Sequence, residues 1–562
     1  MSKKKAIGIG LLAVITTLSL VACGKEPTSN PSSSSSPAAK ELEPATISLF
    51  YSSAPPKVKL EESEYGKQIL SKLKVTLNTE YVSKDASTRE GVLVSSNDYP
   101  DLIIPQSNSQ ENSGLGLFLK AKALIPLDDL IEKYGKNIKK WYPGNELDKY
   151  KKDGKLYTLP LQPGYENPST VGSGYWIQEA VLKDAGWPKI KTFDEYFALL
   201  EKYRAKYPQI GGKDTIGYSF QSEGYKFDWL TNQGAYLSGY RDDGGFMIDV
   251  NGKKATAKQV AGSDVQKQHM QKMNEYFSKG LVDQEGFVDK IDQWKAKMSS
   301  GRVLGYYGGT TEMGSINDAL TKQGLDDRRF VYIPLVFKDG IQEKYWGSVV
   351  PNVNAGIGIS KSAKNPERIM QFLDGLMSEE IMTLRQWGVK DVDYTIGSDG
   401  KNTVTPEQIE LYRDADKRNA KGFPSYNLFP QIPSSKTFSN GSVYSISLTK
   451  EYISTNFTNS DKEYLKAYGY TYFSDAFKKQ DSPYGAAYTV NITGDSDAGK
   501  ANTKRNDIVR TYIPKMLLAK PADFNKIWDE YVAKLKDANM KPLEDYISNA
   551  ITKRLEEGRQ TD

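Results

Sequence analysis

The stretch Asp98-Tyr99-Pro100-Asp101-Leu102-Ile103-Ile104-Pro105 decides the fold class. Its apolar triplet, bracketed by two prolines, is a short strand buried on both faces. Upstream, 46–50 favours β structure, 61–73 has helical spacing and 74–82 alternates apolar with polar side chains. The resulting β-α-β-α order predicts an α/β sheet with parallel strands. Downstream, 123–134 carries a turn at Pro126 and an amphipathic helix, and 154–160 is a turn leading into a strand. The pattern restarts near Val171. Residues 174–177 are strand-like, and Thr192 before Asp194 and Glu195 is a helix N-cap. Helices follow over 264–279 and from Asn365-Pro366, and β-rich runs over 303–307, 330–337 and 349–359. Residues 423–433 are irregular and rich in Pro and aromatics, and 504–555 is helical.

With 562 residues, 38% hydrophobic and 26% charged, the chain has material for two to four ordinary domains. Lys plus Arg number 75 against 70 Asp plus Glu; setting aside Lys3, Lys4 and Lys5 leaves 72 against 70. That balance gives no general attraction to nucleic acid or anionic membrane. One Cys and one His exclude an intramolecular disulfide and a zinc site built from several such ligands. His269 lies in a Lys- and Gln-rich helical stretch and reads as solvent-facing. No P-loop or Rossmann fingerprint appears, and no cofactor or metal is implied. Asp249-Val250-Asn251-Gly252 and Asp495-Ser496-Asp497 open like calcium loops but lack the Gly offset and the terminal Glu. The 36 Tyr and 8 Trp supply flat rings with polar handles, which suit sugars.

The first residues are an address. Lys3 to Lys5 precede an uncharged apolar run over 6–20, too short for a comfortable membrane span. Leu20-Val21-Ala22-Cys23 resembles a bacterial lipobox, which makes 1–22 a lipoprotein signal peptide and Cys23 the lipidation site. Residues 23–45, with Ser32 to Ser36 between Pro31 and Pro37, form a flexible linker. This implies a membrane tether on the extracytoplasmic face of a Gram-positive cell.

Further segments carry a family likeness: Gly174-Tyr175-Trp176-Ile177, Gly186-Trp187-Pro188, Lys191 to Glu195, Lys226-Phe227-Asp228-Trp229, Gly301-Arg302-Val303, Ala355 to Ser360, and Asn365-Pro366-Glu367-Arg368-Ile369 through to Trp387-Gly388. With the lipobox and the Pro-Asp strand, in this order, the chain resembles the extracellular solute-binding lipoproteins of bacterial ABC importers. Within them it resembles the carbohydrate-binding group related to maltose-binding protein and the LipO-type lipoproteins. The calcium loop that related alginate binders carry before the helix near Asp194 is absent.

The resemblance implies a two-lobe periplasmic-binding-protein-like fold of type II, with hinge crossings near 159–164, 349–359 and 429–433 and a helical C-terminal region. Lobe one is then 46–160 plus 352–428, and lobe two 165–348 plus 433–562. It implies a monomer that binds a carbohydrate ligand in the cleft and hands it to ABC permease transmembrane subunits, without catalysis and without nucleic acid.

Trp176 aligns with a ring-stacking Tyr of that group; Tyr175 would point to the opposite face, so one of the two is core. Trp229, Tyr306, Tyr307, Trp346 and Trp387 are the remaining candidate stacking rings, each with core packing as its alternative. Asp101, Gln106 and Asn352 are candidate hydroxyl partners; capping and turn formation are the alternatives for Asp101 and Asn352. Two other functions stay open at this point: a secreted glycoside hydrolase or lyase, which needs only two carboxylates, and a peptide-binding lipoprotein.

Overall fold

The computed structural model describes residues 42–107, 112–164, 166–167, 171–347, 351–422 and 429–558. The signal segment, Cys23 and the linker up to residue 41 lie outside them, as do 348, residues 349 and 350 of the expected second crossing, and 423–428.

The Pro-Asp strand, Leu102–Ile104, stands at the centre of a five-stranded sheet. Its neighbours are Ala45–Tyr51 and then Val75–Tyr81 on one side, all parallel. On the other side Gly356–Ile359 runs antiparallel to it and to Leu159–Pro160. A second sheet has the order Phe330–Ile333, Ser173–Gln178, Val303–Gly309, Ile216–Ser219. Ser173–Gln178 is antiparallel to both its neighbours, while the last two strands are parallel.

Helices cover both faces of the second sheet. Helix Phe193–Lys206 starts as expected at Thr192, whose side chain accepts from the Glu195 N–H while the Glu195 carboxylate accepts from the Thr192 N–H. Its Phe193, Tyr196, Phe197 and Leu200 bury against Tyr175. On the opposite face Trp294, Met298, Met313 and Ile316 cover Trp176 and Tyr306.

Three chain segments lie side by side where the two sheets connect. Leu161 N–H donates to Ala355 C=O and Asn352 N–H to Gln162 C=O, both at 3.0 Å. Along the other side, Gln431 N–H donates to Pro160 C=O at 2.9 Å and Ser434 N–H to Gly164 C=O at 3.2 Å.

One expected boundary moves. Residues 436–456, assigned from sequence to the second lobe, pack on helices of the first sheet's layer. Phe438 stands edge-on to Trp141, Ser439 N–H donates to Glu379 at 2.7 Å, and Gln386 donates to Tyr444 at 2.8 Å. Arg413 holds Thr455 and Asn456. Only at Phe457, which packs on Phe473, does the chain join the second core.

The two calcium-loop-like openings have structural uses. Asp249 to Gly252 ends the first strand and turns the hairpin Phe246–Asn251/Lys254–Gln259, and Ser496 caps helix Asp497–Leu518. The outer edge of that hairpin is covered by helix Lys541–Glu557. Glu544, Ser548 and Thr552 accept from the N–H groups of Gln259, Ala257 and Ala255 at 3.0, 2.9 and 2.9 Å.

Candidate functional site

Ligands of open α/β sheets sit beyond the carboxyl ends of the parallel strands. In the first sheet that rim carries Tyr51, Ser52, Tyr81, Gln106 and Ser107. Buried Glu90 fixes it, accepting from Ser52 Oγ at 2.6 Å, Gln106 N–H at 2.7 Å and Gly114 N–H at 3.0 Å. Tyr51 and Tyr81 meet edge-to-face at 6.0 Å. Asn352 donates to Ser107 Oγ at 2.6 Å and to Gln162 Oε1 at 3.1 Å, so it ties this rim to the connecting segments.

In the second sheet the corresponding rim lies where Ile216–Ser219 and Val303–Gly309 end and Ser173–Gln178 begins. Helices Lys226–Thr231 and Thr310–Lys322 start there. Tyr225 is 63% exposed and stands edge-to-face on half-buried Trp229 at 5.5 Å. Lys226 Nζ lies 5.1 Å from the Tyr225 ring and 4.8 Å from the Trp229 ring and pairs with Glu312. Glu312 is in the first turn of its helix, where the macrodipole favours a carboxylate. A side chain at Gly309 would stand 3.2 Å from the Trp229 indole, so glycine lets that ring come close. The two rings thus sit against a largely buried ion pair, its side chains 10% and 16% exposed, and Tyr225 carries most of the exposed stacking face.

The sequence candidates divide sharply. Trp229 is part of this rim, and Gln106 and Asn352 belong to the other. Trp346 is half-buried beside the second core cluster, its C=O accepting from Gln480 N–H at 2.8 Å. Tyr175, Trp176, Tyr306, Tyr307 and Trp387 are core residues, which corrects their reading as cleft rings. Ser173–Gln178 and Val303–Gly309 are central strands covered on both faces, so alternation buries both sets of side chains: Tyr307 is paired with Tyr175 and Tyr306 with Trp176. Trp176 is satisfied internally, donating to Gly308 C=O at 2.9 Å and packing on Tyr332 at 4.6 Å. Trp387, with no exposure, donates to Val443 C=O and packs on Tyr394. Asp101 sits at the opposite end of its strand from the rim. There it accepts from Ser48 N–H at 2.9 Å and Ser48 Oγ at 2.7 Å, which is its capping alternative.

His269 is also corrected. It is fully buried against Phe193, and burial lowers its pKa to about 3. The residues that sequence reading missed are Tyr51, Tyr81, Glu90, Tyr225, Lys226 and Glu312. Two signals were available: Tyr51 follows directly on a recognised β run, and Tyr225 and Trp229 are four residues apart at the start of a helix. Among the described residues no cluster of His, Cys, Asp or Glu suited to a metal ion is found, and no helix is long and apolar enough to cross a membrane.

Over 229 residues the chain is 30% identical to the fructooligosaccharide ABC transporter substrate-binding protein FusA of Streptococcus pneumoniae, covering 39% of this chain and 41% of FusA; the matched part thus spans about two fifths of that relative. The structure of FusA in complex with kestose superposes with a TM-score of 0.58 at 17% identity, covering 91% of this chain and 99% of that one. An HMO-binding, ABC-transporter-associated solute-binding protein from Bifidobacterium longum infantis gives a TM-score of 0.63 at 16% identity, over 90% and 98% of the two chains. These likenesses show a shared fold, the two-lobe periplasmic-binding-protein fold of type II. The family model for bacterial extracellular solute-binding proteins matches residues 64–392, more than half of the chain. With that match, the chain belongs to the bacterial extracellular solute-binding protein family.

Proposed function

We propose that this protein captures an oligosaccharide between its two strand-end rims and delivers it, chemically intact, to the membrane subunits of an ABC importer. The observation that carries this reading is the exposed Tyr225–Trp229 pair braced by Lys226 and Glu312. A pyranose or furanose presents C–H faces to rings and hydroxyls to charged and amide groups, and each ring contact contributes about 0.5–1.5 kcal/mol beyond area. Gln106 and Asn352 supply hydroxyl partners from the first rim, and Trp346 flanks the connecting segments. The relatives named for fructooligosaccharide and HMO binding support the ligand class.

In this reading lobe one is 46–160 plus 352–456, and lobe two 165–348 plus 457–558. The paired segments 160–164, 352–355 and 431–434 act as the hinge. Ligand bridging both rims stabilises the closed state because only that state makes both sets of contacts. Membership of an extracellular family puts the chain outside the cytoplasm. We assign the tether to lipid on Cys23 and the working form to a monomer with no catalytic step. The test is a thermal-shift screen of the full chain against fructans, plant and host glycans, with the ligand re-analysed afterwards. One oligosaccharide class should raise Tm and be recovered unaltered. No shift with any glycan, or recovery of shortened sugars, overturns the reading.

A further inference from the structure

The segment just before the ring pair is bonded to a charged cage that the binding reading does not use. Lys297, on helix Ile291–Ser299, has a side chain only 7% exposed. Its ammonium lies 2.9 Å from Asp283 Oδ2, 2.7 Å from Glu285 Oε2 and 2.6 Å from Asp289 Oδ2. All three carboxylates are on one short loop, 283–289, so a single cation gathers that loop around itself. Burial works against the charged lysine, but the three carboxylates outweigh it and its pKa stands above the ordinary value.

The same loop is bound to the segment that leads into the ring pair. Asp283 N–H donates to Tyr218 C=O at 2.8 Å, and Asp283 Oδ2 accepts from Ser219 Oγ at 2.8 Å. Ser222 Oγ donates to Gly286 C=O at 2.8 Å, and Gln221 Nε2 to Asp289 C=O at 3.2 Å. Glu223 accepts from Ile291 N–H at 3.0 Å and from Lys290. Gly286 lies so close to Phe220 that an added Cβ would stand 2.7 Å from its carbonyl oxygen, and Phe287 packs edge-on to the Phe220 ring at 4.7 Å. Residues 219–223 are therefore clamped along their length, 219–222 by the loop gathered around one ammonium and Glu223 by Lys290 and Ile291 just after it, and Tyr225 is the second residue beyond the clamp.

We infer that Lys297 is a positioning residue for the ligand-binding rings: its ammonium is the internal cation that folds loop 283–289 into the brace holding 219–225 and hence the Tyr225–Trp229 pair. Without it three carboxylates would face one another across the space that the ammonium fills, with Asp283 and Asp289 largely buried. That repulsion is relieved by the loop opening, which releases the brace.

This inference rests on the rings being the binding surface, so its test has one arm with ligand and one without. In the full chain, Lys297→Met should raise amide hydrogen exchange in 283–291 and also in 219–229, with exchange in the first sheet unchanged. At a temperature well below Tm it should weaken binding of the oligosaccharide found in the screen by about tenfold or more. The milder Asp289→Asn, which leaves two carboxylates on the ammonium, should fold and give the same pattern at about two- to fivefold, should the methionine variant fail to fold. Unchanged exchange in 219–229 in the variants that fold overturns the inference. So does a fall in Tm with unchanged ligand affinity, since a purely structural lysine would give that result. If no glycan binds at all while exchange in 219–229 still rises, the brace stands and the oligosaccharide reading is the part that fails.

Discussion

Two groups of aromatic residues in the second sheet's layer invite comparison. Tyr175, Trp176, Tyr306 and Tyr307 lie within the strands; Tyr225 and Trp229 lie just beyond a strand end. The first four have almost no exposure, and their polar atoms face inward, as in the Trp176 indole on Gly308 and the Tyr175 hydroxyl on Gln233. In the second pair Tyr225 is exposed and Trp229 half-buried, and an ion pair steadies both. The difference follows from layering. In a sheet covered on both faces, a ring on a strand has nowhere to go but into one core or the other. A ring where the chain leaves the strand end can be buried only in part, as Trp229 is against the second sheet's core, or stand exposed, as Tyr225 does. Composition alone cannot separate these groups; position relative to the strand end does.

The sharpest way to break this comparison is Trp176→Ala. A core indole removed should lower stability by about 3–5 kcal/mol in urea denaturation. A variant with an unchanged midpoint but no sugar binding would return Trp176 to the cleft. Next comes His269, which packs in the same core as Tyr175. Its pKa is low in the native state and ordinary when unfolded, so its neutral form contributes stability above about pH 6.5 that is progressively lost as pH falls toward 3. At pH 5 the cost is about 2 kcal/mol. Replacing His269 with Met should flatten that part of the stability–pH curve; an identical curve would mean that water reaches this core.

Smaller effects are expected at the strand-end rings. Trp229→Ala should reduce oligosaccharide affinity about tenfold, or about 1.4 kcal/mol by calorimetry, while moving Tm little. Tyr225→Ala should cost about two- to fivefold, because its ring is the outer member of the pair. Equal and large losses of stability in both would show that these rings are core after all.

The parallel order of the first strands and the Thr192 cap were legible because they are local: two apolar periods, a proline bracket and a capping pair suffice. The two readings of Asp101, ligand partner and cap, could not be told apart because type and neighbourhood do not say which end of a strand is the rim. The pairing of Leu49 with Leu102 settles that by setting Asp101 opposite Ser48. His269 was hidden by its charged neighbours, although Met270, Met273 and Phe277 share the buried face of its helix and the spacing places it among them. The stretch 436–456 has only the brief alternation of Tyr444, Ile446 and Leu448, too short to say which sheet's layer it covers. It is held by single anchors such as Phe438 and Tyr444, whose partners are far away in sequence.

The helix laid along the hairpin edge acts as a vernier. Four residues of helix advance about 6.0 Å, and two residues of strand advance about 6.6 Å. Three successive side-chain oxygens can therefore meet three successive strand amides with a drift of little more than an ångström. A fifth or sixth amide would fall out of step, so this way of closing an edge limits the hairpin to short strands, and slipping the helix by one residue would undo all three bonds together.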